Sequence, residues 1–116
     1  MNIGDDYRKG TTIHIKPLSI NCAFKGRRFK TDEYKAYERA VLFMLPKMSL
    51  PEPPYKITLD FGLSNVLSDF DNPVKLFVDI LQKKYLFNDK LIMEANIKKI
   101  KVEKGKEFVN FNIESL

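Results

Sequence analysis

From Tyr55 to Leu63 the chain alternates without a break. Tyr55, Ile57, Leu59, Phe61 and Leu63 are apolar, and Lys56, Thr58, Asp60 and Gly62 stand between them. Successive side chains of extended backbone point to opposite sides, so a two-residue period predicts a strand with one face on a core and one face wet. The rest of the chain has to supply a layer for the apolar face to pack on. Asp60 falls on the polar side, where it is expected to be exposed.

Two helices answer that need. Thr31-Asp-Glu-Tyr34 offers a cap followed by two acids in the first turn, where free amides and the helix dipole favour negative charge. Tyr34, Tyr37, Val41, Met44 and Leu45 then recur at three-to-four spacing until Pro46 removes a backbone donor. A second helix is predicted after the uncharged loop Ser64–Ser68. Asn72 caps it, Pro73 takes the first helical position, and Val74, Phe77, Val78, Leu81 and Tyr85 form its apolar stripe.

Thr11–Pro17 alternates, with Ile13 and Ile15 on one face, and predicts an early strand. Leu18–Lys30 follows as a basic loop. Leu91–Glu103 and Glu107–Ile113 predict two strands joined around Lys104-Gly105-Lys106 as a terminal hairpin, and the broken alternation at Ile97–Ile100 suggests a bulge. Neither a repeat nor a flexible linker divides the chain. The order β-α-β-α-β-β predicts a single α+β domain over residues 1–116, with two helices packed on a mixed four-stranded sheet.

With 116 residues, 44% of them hydrophobic and 30% charged, the chain has the balance of one globular domain. No stretch approaches the roughly 18 apolar residues of a membrane span, so no membrane partner is expected. The single cysteine, Cys22, excludes an internal disulfide and a cysteine-built zinc site within one chain, which fits a reducing cytoplasm. Cys22 has no general base beside it in sequence, so it is expected as a buried or incidental thiol. His14, opposite Ile13 and Ile15 and without a second histidine, is expected at the surface or in packing rather than as a ligand.

A formal charge of +5 favours a polyanionic partner. Lys25, Arg27, Arg28 and Lys30, interleaved with Phe24 and Phe29, form the densest basic segment. They suit phosphate contacts and base stacking, and equally a solvated loop with its phenylalanines in the core. Lys98, Lys99, Lys101, Lys104 and Lys106 make the expected terminal hairpin basic, either as more of a DNA-binding face across a dimer or as protection for an edge strand.

Asp69 and Asp71 are two apart just before the second helix, so in extended backbone their carboxylates share one side. Like charges held together call for a compensating cation, and hard divalent metals take such oxygen ligands. Lys75, on the helix's first turn, and the free amides of that turn would meet a phosphate beside the metal. The same residues also describe an ordinary turn leading into a helix, with the acids serving as caps and Lys75 pairing with Asp71 or Asp79. Spacing does not choose between these.

Three stretches carry a likeness: Pro17-Leu-Ser-Ile-Asn21, Arg28–Tyr37, and above all Ser68-Asp-Phe-Asp-Asn72 with Lys75. Together they resemble the RusA family of Holliday junction resolvases, from about residue 11 to the end. Phe77-Val-Asp79-Ile-Leu81 and Asn88-Asp89-Lys-Leu-Ile92 resemble later elements of that family. The resemblance implies a dimeric, Mg2+-dependent endonuclease, with Mn2+ able to substitute, that cuts four-way junction DNA in recombination and repair. Asp69, Asp71, Lys75 and Asp89 are its catalytic positions, the three aspartates hold the metal, and Asn21, Lys25, Arg27, Arg28, Lys30 and Lys75 contact DNA. It also suggests a phage or prophage source.

Asn88 replaces the first acid of the family's pair, so the alternative is a branched-DNA-binding protein with an impaired metal site. A helix from Pro73 to about Tyr85 is on the order of 20 Å long. Asp89 therefore reaches the helix start only if the chain doubles back, or it serves the partner subunit of a dimer.

Overall fold

The alternating segment is strand β4 (Tyr55–Leu63), and it lies inside the sheet. The computed structural model describes residues 10–18, 24–25, 29–65 and 72–116, with side chains at all of these except 24, 25, 29 and 72. Around β4 stand β1 (Thr11–Ile13), a small pair β2 (Phe24–Lys25) and β3 (Phe29–Lys30), helix α1 (Asp32–Met44), helix α2 (Asn72–Tyr85), a 3-10 turn (Asp89–Leu91), β5 (Ile92–Lys101) and β6 (Phe108–Ser115). Among the described residues the result is an α+β domain: two helices on a mixed four-stranded sheet of order β1-β6-β4-β5. No helix among the described residues is long and apolar enough to cross a membrane.

β4 pairs with β6 antiparallel and with β5 parallel. Its odd-numbered residues Ile57, Leu59 and Phe61 face the helices with Val109, Phe111 and Ile113 of β6, and all are buried. Each fully buried side chain of this size is worth roughly 1.5–3 kcal/mol over exposure. Phe77 of α2 packs edge-on to Phe61 at 6.2 Å and tilted against Phe111 at 5.7 Å, which locks α2 over β4 and β6.

α1 begins as expected. Thr31 is its cap and accepts a hydrogen bond from the Tyr34 amide at 3.2 Å. Tyr34, Tyr37, Val41 and Leu45 are buried, but Met44 is exposed because Leu45, just past the helix end, takes the last core position. Burial in that core raises the Tyr37 hydroxyl pKa well above its ordinary value.

The expected terminal hairpin does not form. α2 reverses the chain once, so β5 lies parallel to β4, and β6 then pairs on β4's other edge. Residues 102–107 cross the end of β4, a gap of two strand spacings or about 10 Å. Gly105, at φ 93, supplies the positive φ of that crossing, where the Lys106 amide donates to the Glu103 carbonyl at 3.0 Å. Glu107 steadies it by accepting from Ser64 Oγ at 2.8 Å and from the Gly105 amide at 2.9 Å. Among the described residues, β5 has no neighbour on its outer edge.

Other expectations shift by a few residues. The irregularity of β5 lies at Met93, where Tyr55 pairs with Ile92 and Lys56 with Glu94, and not at Ile97–Ile100. β1 stops at Ile13, which pairs with Val109 one residue inside the start of β6. Two short strands, β2 and β3, occupy part of the expected basic loop. Asp60 is only 7% exposed, on the sheet face away from the helices, in register with Asn110 and Lys98. Asn110, 3% exposed, donates to Thr12 Oγ1 at 2.7 Å on that same face.

One carboxylate joins three elements. Glu38 of α1 accepts from Lys30 of β3 at 3.2 Å and from Lys83 of α2 at 2.9 Å. Partial burial alone would raise its pKa, but the hydrogen bonds from Lys83 and Lys30 outweigh that and hold it below its ordinary value. A lowered carboxyl pKa stabilises the fold fully above the ordinary value of 4.5, and the contribution disappears as pH falls through the lowered value. Glu38→Gln should cost about 1 kcal/mol near neutral pH, and urea melts should show the wild-type advantage vanishing in acid.

Leu86, just past α2, holds φ 55, a conformation that favours glycine. Its side chain is 88% exposed and offers little packing in return. Leu86→Gly should raise the urea midpoint by the equivalent of about 0.5 kcal/mol, the relieved strain exceeding the added unfolded-state entropy.

Candidate functional site

The face that α2 turns to the core differs from the predicted stripe and thereby shapes the site. Leu76, Phe77, Ile80 and Leu81 are the fully buried residues, so the helix is rotated relative to a stripe centred on Val74 and Val78. Those two valines only partly pack on the core and stand on the flank toward β5. Lys75, Asp79 and Gln82 continue up the same side at three-to-four spacing.

Between that flank and β5 lies a groove of about 460 Å³. Its floor is Ile57 and Leu59 of β4 beside their register partners Ala95 and Ile97 of β5. Val74 and Val78 form the helix wall, and Lys75, Asp79 and Asp89 supply its charged groups. Two of the predicted catalytic residues, Lys75 and Asp89, thus border one groove within one chain, although the length of α2 separates them in sequence.

The chain doubles back by identifiable contacts. The Leu86 amide donates to the Gln82 carbonyl at 2.9 Å, and the positive φ of Leu86 turns the backbone out of the helix. Phe87 then lands edge-on to Tyr55 at 5.8 Å, tying the return to the start of β4. Asn88 caps the 3-10 turn by accepting from the Lys90 amide at 2.9 Å. The Asp89 amide donates to Gln82 Oε1, also at 2.9 Å. Gln82 is seven residues beyond Lys75, about 10 Å along the helix axis, so Asp89 and Lys75 stand toward opposite ends of the groove.

The groove's charges are soft. Lys75 Nζ lies 3.7 Å from Asp79 Oδ2, an i,i+4 pair with both side chains substantially exposed, worth no more than about 0.5 kcal/mol. Gln82 Nε2 donates to Asp79 Oδ1 at 3.4 Å. The Asp89 carboxylate is exposed and has no partner among the described residues. Its oxygens suit a hard divalent cation, and Mg2+ needs only one or two protein carboxylates when substrate phosphates complete its shell. Among the described residues no three His, Cys, Asp or Glu side chains converge on a metal position.

Asp69 and Asp71 lie outside the described residues, as do Asn21, Cys22, Arg27, Arg28 and the side chains of Phe24, Lys25 and Phe29. Lys30 is described, and Glu38 holds its ammonium, which also sits 5.1 Å from the Tyr34 ring centroid. Of the lysines on β5 and the connection after it, Lys101 donates to the Ser64 carbonyl and Lys106 pairs with Glu103 at 3.4 Å. His14 is exposed. Asp60 is directed away from the helices and the groove.

Sequence reasoning missed Gln82, Leu86 and Phe87. The spacing of Gln82 from Asp79 was visible, but its partner at Asp89 depends on a chain reversal made by a leucine where glycine is usual. No protein-family model matches the chain, and no curated protein does.

Phe87→Ala should lower stability by about 2 kcal/mol, less than a fully buried phenylalanine would. Native-state amide exchange should show the loss of protection concentrated in the 3-10 turn at Asp89–Leu91 rather than in β4.

Proposed function

We propose that this protein is a metal-dependent endodeoxyribonuclease that resolves four-way DNA junctions as a homodimer. One observation carries the proposal: Lys75 and Asp89, which the RusA resemblance assigns to one reaction, border the same groove. The positive net charge suits a polyanionic substrate. Asp69 and Asp71 enter through the resemblance alone, and they immediately precede α2, whose first turn carries Lys75.

A bound Mg2+ supplies an activated water and neutralises phosphate charge. The protein's own residues do the remaining work. By the resemblance Asp69, Asp71 and Asp89 would hold the cation, Asp89 reaching it along the groove or from the partner subunit of the dimer, while Lys75 would meet the charge developing on the phosphate and the free amides at the start of α2 would favour the same anion. Asn21, Lys25, Arg27 and Arg28 engage the DNA backbone near the junction, whereas Lys30, already held by Glu38, fixes the base of that segment. Asn88 keeps the turn that presents Asp89, a capping role asparagine fills as well as aspartate.

The test uses a labelled four-way junction and a matched linear duplex, with and without Mg2+. Paired nicks on the junction alone, only with Mg2+, are expected. Asp69→Asn and Asp71→Asn should abolish cutting with junction binding intact, and Lys75→Ala should slow it by about 100-fold. Binding without any cut would favour a branched-DNA-binding protein instead, and normal cutting by both aspartate variants would show the assigned site to be wrong.

A further inference from the structure

The side-chain amide of Gln82 contacts two residues of the groove that demand opposite things of it. The Asp89 amide is a donor and faces Oε1 at 2.9 Å, whereas Asp79 Oδ1 is an acceptor and faces Nε2 at 3.4 Å. Only a carboxamide of this length meets both. A glutamate offers no donor and would set a carboxylate against Asp79, and asparagine is one methylene short. Val78's carbonyl also accepts from Nε2 at 3.4 Å, which keeps the amide plane along the helix.

The same residue holds both ends of the chain reversal. Its carbonyl receives the Leu86 amide and its side chain receives the Asp89 amide, so residues 86–89 are closed onto a single position of α2. Phe87 fixes that return to the sheet, but nothing in the Phe87–Tyr55 contact sets which way Asp89 faces along α2.

We propose that Gln82 is a positioning residue for the groove: its amide sets where Asp89 stands and so how well Asp89 holds a divalent cation. This rests on the nuclease reading above. Groups hydrogen-bonded behind a metal ligand commonly govern metal affinity by about 10–100-fold. Gln82 acts in this way through the backbone of Asp89, while restraining Asp79 beside Lys75.

The decisive variants are Gln82→Met, which keeps length and helix preference but has no amide, and Gln82→Glu, which keeps the acceptor. Three quantities are read: Mn2+-induced NMR broadening of the Asp89 amide, its hydrogen exchange, and the Mg2+ concentration for half-maximal junction cleavage. Gln82→Met should need about 10-fold more Mn2+ and Mg2+ for equal effect, with faster Asp89 exchange. Its thermal midpoint and metal-free junction affinity should match wild type, which separates positioning from general loss of structure. Gln82→Glu should retain Asp89 amide protection.

Unchanged Mn2+ and Mg2+ titrations in Gln82→Met would overturn the role of Gln82 and leave the nuclease reading standing. Lost protection in Gln82→Glu would overturn the acceptor contact from which the proposal starts. If wild-type Asp89 shows no Mn2+ broadening and wild-type protein cuts no junction, both readings fall together.

Discussion

β4 is hydrogen-bonded along both edges and packed against helices on one face, and nearly every other position in the fold is measured from it. Its pairing with β6 runs from Tyr55 to Gly62, and its pairing with β5 continues one residue further to Leu63. A strand with two partners cannot slip by one residue without turning its odd-numbered apolar residues away from the helices and breaking register on both edges at once. The parallel partner brings a further constraint, since a parallel neighbour requires a crossover. α2 is that crossover, and its length fixes how far the chain must return before β5 begins.

The groove follows from the rotation of α2. With Leu76, Phe77, Ile80 and Leu81 sealed against β4 and β6, the helix leaves Val74 and Val78 overhanging β5, which no further helix covers among the described residues. An apolar trough with charged groups beside it is what remains. Lys75 and Asp89 gain this setting from a packing decision made by residues that touch neither.

Local chemistry accounts for what was legible in the sequence. The cap at Thr31, the alternation of β4 and the glycine at 105 each act within a few residues, and each appears where it was expected. The α+β class, with two helices on a mixed four-stranded sheet, followed from their order. Partner choice was not legible. The turn at Gly105 looks the same whether the next strand pairs with the last one or crosses to the far edge of β4, and the parallel pairing imposed by α2 decided for the crossing. Likewise Val74 and Val78 are as apolar as Leu76 and Ile80, so composition could not say which pair would face β4. Of the candidate site, the sequence supplied the residue types, whereas the return of Asp89 depends on Leu86 in a glycine-like conformation and on Phe87 finding Tyr55.

The outer edge of β5, which has no neighbour among the described residues, distributes its charge unevenly. Its second half carries Lys98, Lys99 and Lys101, while its first half begins Ile92-Met93 and contains the register shift opposite Tyr55 and Lys56. Identical strands stacking side by side in parallel would place like ammonium groups together along that second half, a repulsion that falls as salt rises or as lysines are neutralised. Edge-to-edge association through β5 thus depends on where its lysines stand as well as on the net charge of the chain.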